Sequence, residues 1–436
     1  MITPTVVVFV PGILGTQLTL DGEVVWPGTV LEYVRGYDRM DQLLDNRTVA
    51  GDIIRSFGPM KQYVTLVDDL ARCGYSEVVS PRTLYVLGYD WRKDNSMSAS
   101  LLADQLDEVV RIHGAAVNIG VVAHSMGGLV ARYYLESGEY AERPAFARVC
   151  QLITLGTPHR GAALALAAAR GDIPRLFLSK EQVKALANHT DYPSLYQLLP
   201  PQDEPFLWDE AVAAGLEPVD VYAPAMAHQL GLSLENLASA QRFRSGLSLE
   251  RRPSHVRYFS FYGTAQKTIT SMRLTSAGGG PQVRPFDAEN GGDETVPVWS
   301  AGLNGVQGLP VGGEHGTIFR DDALRLTLAS LLGKKGVLAG EPQRTTVLVP
   351  KHVVAPEERM TIQLAFATPT AVLQGSIAFR RVTIQDDDAV GIAAPFGKPS
   401  AIQYSGSHLN RLEFTVTAPE FAGFYEAVYT SALDGD

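Results

Sequence analysis

Only two cysteines, Cys73 and Cys150, occur in 436 residues, and they stand far apart in the chain. That count excludes a disulfide framework, and no Cys/His cluster has zinc-site spacing. Both cysteines fall in segments that read as interior helix or strand, where a thiol packs as a small apolar group. Long apolar runs are missing too: none reaches the roughly 18 residues that a membrane-spanning helix needs. The opening stretch, residues 1–11, has no basic segment ahead of its apolar residues and enters a strand almost at once. No signal peptide is therefore expected, and the chain reads as a soluble cytoplasmic protein. Basic clusters are also lacking. With a net charge of -10 and no run of lysine or arginine, the chain offers nucleic acid no attractive surface. There is no internal repeat and no low-complexity tract. What is present is 45% hydrophobic residues over a length too great for one simple core, which predicts a globular protein of two domains.

The chain is organised around residues 117–128, VNIGVVAHSMGG. Val117, Ile119, Val121 and Val122 suit a buried strand, while Leu129, Val130, Tyr133, Tyr134 and Leu135 recur at helical spacing. Ser125 sits on the turn between them. Ala123-His124-Ser125-Met126-Gly127 matches the G-x-S-x-G nucleophile elbow with alanine at the first small position. The small neighbours are needed because strand and helix pack closely at such a turn. The alternative is an ordinary serine joining a strand to a helix.

The flanking sequence supplies the matching framework. Val6–Val10 is a short β-branched run suited to a central parallel strand, and it ends in a glycine-containing turn, Pro11–Thr16. Such a turn can aim a backbone N–H across the sheet at the serine, which makes Ile13 and Met126 the candidate oxyanion donors. The plain alternative is a turn that only connects two elements. Residues 22–60 read as a long surface excursion with short helical pieces. Then come a helical stripe from Tyr63 to Ala71, a strand over 83–87, an amphipathic helix over 98–113 ended by Gly114, and a strand over 149–155. From 161 to about 255 the rhythm gives way to Ala/Leu-rich helical stretches, read as an inserted cap. A strand over 256–262, a glycine-rich loop at 278–280 and a helix over 320–332 follow. The βα alternation predicts an α/β fold with a doubly wound, mostly parallel sheet and ligands at the carboxyl ends of its strands.

Beyond a linker around Lys334, Lys335, Gly336, Gly340 and Pro342 the character changes. Short β-rich runs between turn residues predict a small antiparallel β-sandwich. The expected domains are thus 1–335, with the cap at about 161–255, and 341–436. No catalytic constellation falls in the second. It either covers an apolar face or binds a protein partner.

A serine hydroxyl needs a histidine base, itself held in one tautomer by a carboxylate, and in α/β-hydrolases the chain order is Ser, Asp, His. Of nine histidines most fail on position, and His124, as the serine's own neighbour, is expected to point away. His315 remains, in a glycine-flanked loop just before a helix. For the acid, Asp293 lies in a glycine-flanked loop, with Asp287 as its competitor. Asp90 reads as a buried structural carboxylate paired with Arg92. No metal or organic cofactor is required by this chemistry.

The order of these motifs resembles the lecithin:cholesterol acyltransferase family, which includes lysosomal phospholipases and phospholipid:diacylglycerol acyltransferases. The resemblance rests on residues 11–15 (PGILG), 89–92 (YDWR), 123–128 (AHSMGG), 192–200 (YPSLYQLLP), 262–264 (YGT), 292–296 (GDETV) and His315. It covers roughly residues 5–335. It implies a Ser125, Asp293 and His315 triad, Ile13 and Met126 as oxyanion donors, acyl-ester or lipid substrates, and transient contact with a membrane surface. Hydrolysis and acyl transfer differ only in the acceptor and stay open, as does a non-catalytic binding scaffold. Two departures stand out: Glu294 occupies a position where the family usually has glycine, and the lid cysteine pair of animal relatives has no counterpart between Trp26 and Gly58.

Overall fold

The computed structural model describes residues 3–58, 60–210, 217–277, 280–303, 305–334, 345–349, 354–382, 393–421 and 424–432. The chain divides into two compact units, Met1–Arg55 with Gln62–Val337, and Ser56–Lys61 with Leu338–Asp436. Of the linker expected at 334–342, all but Lys334 lies outside the described residues.

In the first unit six parallel strands form the central sheet: β1 (Val6–Val10), β2 (Leu84–Val86), β3 (Ile119–His124), β4 (Val149–Leu155), β5 (Arg257–Gly263) and β6 (Gln307–Val311). Their spatial order is β6-β5-β4-β3-β1-β2. Every residue of β1 and β3 is buried, because helices cover both faces of a parallel sheet and leave no polar side to alternate with. Register is tight at the centre, with Val8 opposite Val121 and Val121 opposite Leu152.

The helices between strands follow their apolar stripes. They are α1 (Val64–Arg72), α2 (Asn95–His113), α3 (Met126–Glu136) and, after the last strand, α4 (Asp322–Leu331). α2 starts where the Asp94 side chain accepts from the Ser96 N–H and stops at Gly114. Leu102, Leu106 and Val109 form its buried stripe. α3 is buried on every side, including an Arg132–Glu136 ion pair one turn apart, so it can tolerate charge only as matched pairs.

The two excursions differ from expectation. Residues 16–53 carry a three-stranded antiparallel sheet, Glu23–Trp26 beside Thr16–Leu20 beside Val49–Ile53, with only short helices at Val30–Arg35 and Met40–Leu43. The cap is helical at Leu164–Arg170, Lys180–Ala187, Pro224–Leu230 and Leu234–Ser245. It also contains strand Leu207–Asp209, which pairs with a long hairpin, Gln266–Ala277 and Gly280–Gly292, outside the expected cap limits. Of the glycine-rich loop expected at 278–280, Gly280 opens the second strand of that hairpin, and Gly278 and Gly279 lie outside the described residues. Leu199, Phe206 and Leu207 are buried with Leu166, Tyr196 and Met272 in a core of the cap's own.

Among its described residues the second unit is antiparallel, with longer and fewer strands than expected. Arg359–Val382 and Ala393–Thr417 run alongside each other, with Thr345–Leu348 and Phe424–Ser431 each pairing part of the first. Register shifts between Ala365 and Val372 change the parity of the buried side. Met360, Ile362 and Leu364 before the shift, and Leu373 and Ile377 after it, consequently face one core.

Candidate active site

Ser125 follows β3 directly and precedes α3, with φ 53° and ψ -127°. A side chain in that conformation costs on the order of 1–3 kcal/mol and persists only where the surroundings dictate it. They do so here. Ser125 N–H continues the sheet ladder to the Leu155 carbonyl at 2.9 Å. On the other side a Cβ at Gly127 would lie 2.4 Å from the Pro11 carbonyl oxygen, so a side chain there would push the helix off β1. A Cβ at Gly12 would likewise stand 2.7 Å from the Ser125 Cβ. The turn at 11–14 therefore passes directly across the serine. Met126 opens α3, so its N–H has no carbonyl in a preceding turn to bond. Ile13, half-buried, sits in the crossing turn.

The loop after β6 brings His315 to the serine. Ser125 Oγ lies 2.8 Å from His315 Nε2, and His315 Nδ1 lies 2.8 Å from Asp293 Oδ2. A carboxylate only accepts, so Nδ1 carries the hydrogen and Nε2 is left to accept from the serine hydroxyl. The His315 N–H also donates to the Asp293 carbonyl at 2.7 Å, which ties the two loops together by main chain. Asp293 is fully buried, and its Oδ1 accepts from the N–H groups of Thr295 (3.1 Å) and Val296 (2.7 Å). Burial alone would raise this carboxyl, but the His315 ring and the two N–H donors outweigh it and hold the pKa below the ordinary value. Asp287 is not part of this cluster. It sits on the hairpin opposite Ile269 and pairs with exposed Lys267 at 3.5 Å.

His124 departs from its expected role as a bystander. It is buried, and its Nε2 lies 2.9 Å from the His315 carbonyl oxygen while Nδ1 lies 2.9 Å from the Tyr63 hydroxyl. That hydroxyl accepts from Gly12 N–H at 2.9 Å. The only consistent assignment runs one way: Gly12 N–H to Tyr63 oxygen, Tyr63 O–H to Nδ1, Nε2–H to the His315 carbonyl. Burial and the neighbouring His315 push His124 down to about 3, so the ring is neutral and the chain of bonds persists near neutral pH. One line of hydrogen bonds thus joins the turn beside Ser125 to the loop that carries His315. Tyr63, counted from sequence only as part of a helical stripe, was legible as nothing more, since the link spans 61 positions.

Asp90 and Arg92 form the buried pair that was expected, Nε to Oδ1 at 2.8 Å and Nη2 to Oδ2 at 2.7 Å. Between them Trp91 donates to the Thr16 carbonyl, and Tyr89 to the Pro11 carbonyl, so this segment pins the crossing turn from behind.

Comparison with known proteins bears on the same stretch. The family model for lecithin:cholesterol acyltransferase matches residues 35–228, which takes in β3, Ser125 and most of the cap. Over those residues the chain is similar to that family, and its fold is that of an α/β-hydrolase. Among solved structures, the Tle4–Tli4 complex is similar with a TM-score of 0.55 at 17% identity, over 76% of this chain and 98% of that one. At such identity the likeness is one of fold. A lin2722 product from Listeria innocua (10% identity, 76% and 94% covered, TM-score 0.33) and the metagenomic carboxyl esterase MGS0156 (14%, 77% and 72%, TM-score 0.32) also match. A search of curated proteins finds no match. The chain is an enzyme, a serine ester hydrolase or acyltransferase, and its substrate is an ester or lipid. No helix among its described residues is long and apolar enough to cross a membrane.

Proposed function

We propose that Ser125, His315 and Asp293 are the catalytic triad of an acyl-lipid esterase that works through an acyl-enzyme. The observation that carries the reading is the unbroken line Ser125 Oγ, His315 Nε2, His315 Nδ1, Asp293 Oδ2, each contact at 2.8 Å. His315 takes the Ser125 proton as Oγ attacks the ester carbonyl, and Asp293 stabilises the imidazolium that results. The oxygen that becomes negative is received by the N–H groups of Ile13 and Met126, each such donor being worth about 2.7–4 kcal/mol. The C–O bond to the alcohol then breaks, and His315 returns the proton to the leaving oxygen. A water, deprotonated by the same histidine, releases the acid.

The acyl chain is proposed to be medium or long. The cap segment beside the acid loop carries Leu176, exposed at 54%, and Phe177, stacked on Trp26 with ring centroids 5.1 Å apart. Arg175 in the same segment donates to Thr295 Oγ1 at 3.2 Å, which sets this greasy stretch next to Asp293. The test is turnover of p-nitrophenyl esters of increasing chain length, with phospholipids alongside. The reading expects kcat/KM to rise from acetate to medium chains. An optimum at acetate would overturn it. The acyltransferase alternative draws on the family match, and would show as acyl transfer to an added alcohol in preference to water.

A further inference from the structure

The turn that carries Ile13 is gripped by its main chain, and four aromatic side chains supply most of the grip. The Tyr89 hydroxyl donates to the Pro11 carbonyl at 2.8 Å, and the Gly12 N–H donates to the Tyr63 hydroxyl at 2.9 Å. Trp26 Nε1 donates to the Leu14 carbonyl at 3.0 Å, and Trp91 Nε1 to the Thr16 carbonyl at 3.1 Å. The Gly15 N–H closes the turn on the Gly12 carbonyl at 3.1 Å, while the Gly15 carbonyl accepts from the Ile54 N–H at 2.9 Å. Among the described residues, the Ile13 and Leu14 N–H groups are left without a protein acceptor, as a donor kept for substrate has to be.

This turn does not hold its own shape. Leu14 stands at the third position of the Gly12–Gly15 turn with φ 64°, a left-handed conformation that glycine takes there freely and leucine does not. Tyr89, Tyr63 and Trp91 grip Pro11, Gly12 and Thr16, next to β1 and the strand Thr16–Leu20, which fix the chain in any case. Trp26 alone of the four holds the strained residue itself. Without its N–H the Leu14 carbonyl loses its partner, and the turn can relax toward an unstrained form that carries Ile13 with it.

Trp26 is buried, and rings set its place. It meets Trp91 edge-on with centroids 5.4 Å apart and Tyr37 at 5.9 Å. It also stacks on Phe177, with 22° between the ring planes. Phe177 comes from the cap. It lies half-buried between exposed Leu176 and buried Leu178, and its carbonyl accepts from the Tyr37 N–H at 3.4 Å. An aromatic stack of this kind stabilises one orientation of the indole, and with it the direction of the N–H.

We propose that Trp26 is a positioning residue that sets the oxyanion turn through the Leu14 carbonyl, and that Phe177 of the cap locks it in place. The proposal rests on the esterase reading above, with Ile13 as an oxyanion donor. It makes that donor and the acyl-facing cap segment one mechanical unit.

The test uses the full chain and p-nitrophenyl acetate, whose two-carbon acyl group keeps long-chain contacts with the cap out of the comparison. Trp26→Phe retains a ring on Phe177 but removes the N–H. It should lower kcat by about 10-fold or more with KM nearly unchanged, because a displaced donor is lost mainly to the transition state. The rate of fluorophosphonate labelling at Ser125 should fall in step, since the phosphonyl oxygen draws on the same donors. Phe177→Leu should also lower kcat, and should lower it no further once Trp26→Phe is present, because the lock acts only through the indole. Should Trp26→Phe fold poorly, Phe177→Leu carries the test alone: kcat lost at constant KM supports the proposal, and unchanged kcat overturns it. Trp26→Phe with kcat and labelling like those of the unmodified protein, a change in KM alone, or additive losses in the double variant also overturn it, while leaving the esterase reading in place. An unmodified protein that neither turns over the ester nor labels at Ser125 removes that reading, and this proposal with it.

Discussion

Ser125 and Glu294 both hold a positive φ, 53° and 80°, which few residues other than glycine adopt at low cost. At Ser125 the strain is enforced from three sides and aims the hydroxyl at His315. Glu294 has no such role in the hydrogen-bond line; its N–H donates to Thr268 Oγ1, and its side chain is exposed, near Glu314. Burial and Glu314 raise its pKa, so the side chain adds electrostatic cost to backbone cost. Glu294→Gly should accordingly raise stability by about 1 kcal/mol, seen as a higher denaturation midpoint with ester turnover retained. A loss of turnover would show that the carboxylate acts on substrate. The acid assignment is tested one residue further back. Asp293→Asn should cost roughly 10⁴ in kcat, because an amide at Oδ2 favours the wrong histidine tautomer. Asp287→Asn should cost almost nothing, and the reverse ranking would transfer the role to Asp287.

At the scale of elements, the parts that set the site were the legible ones. β4 was expected over 149–155 and occupies Val149–Leu155, and β1 and α2 lie within a few residues of expectation, because β-branched runs and apolar stripes are local signals. The sheet at residues 16–53 was missed although Asp21-Gly22, a strong turn pair, joins two of its strands; mixed polarity hid the alternation in Thr16–Leu20. The hairpin Gln266–Gly292 was missed for a different reason. Its polar faces carry little periodic apolar signal, and the cap strand that completes its sheet is 65 positions away by register, Leu207 opposite Met272 being the first pair. The Tyr63 link from α1's start to the serine turn and to the loop after β6 is likewise non-local. Tyr63→Phe removes one hydroxyl and strands the Gly12 N–H and the His124 ring, at a cost of about 1–3 kcal/mol. If the link positions the site, kcat should also fall, by about 10-fold or more. Unchanged kcat with lowered stability would reduce it to a structural bond.

For the whole molecule, buried neutral histidines set the response to acid. His124 titrates near 3 in the folded protein against 6.5 when free, and His159 is displaced in the same direction. Below pH 6.5 the unfolded chain therefore binds protons that the folded one refuses. Their contribution is complete above 6.5 and is lost as pH falls toward 3, at about 1.4 kcal/mol per pH unit for each histidine that stays neutral. Asp293, also depressed, adds a loss in the same direction at lower pH. Urea midpoints should decline steadily from neutral to about pH 5, and a flat profile there would mean that these rings accept protons in place.

The claim on which the rest depends is that Ser125 is an activated nucleophile. Fluorophosphonate labelling followed by peptide mass analysis addresses it without knowledge of the substrate. The account predicts one label per chain, on Ser125, with ester turnover lost in proportion and no labelling once Ser125→Ala or His315→Ala is introduced. A chain that hydrolyses esters while Ser125 stays unlabelled, or that labels equally well without His315, would contradict it.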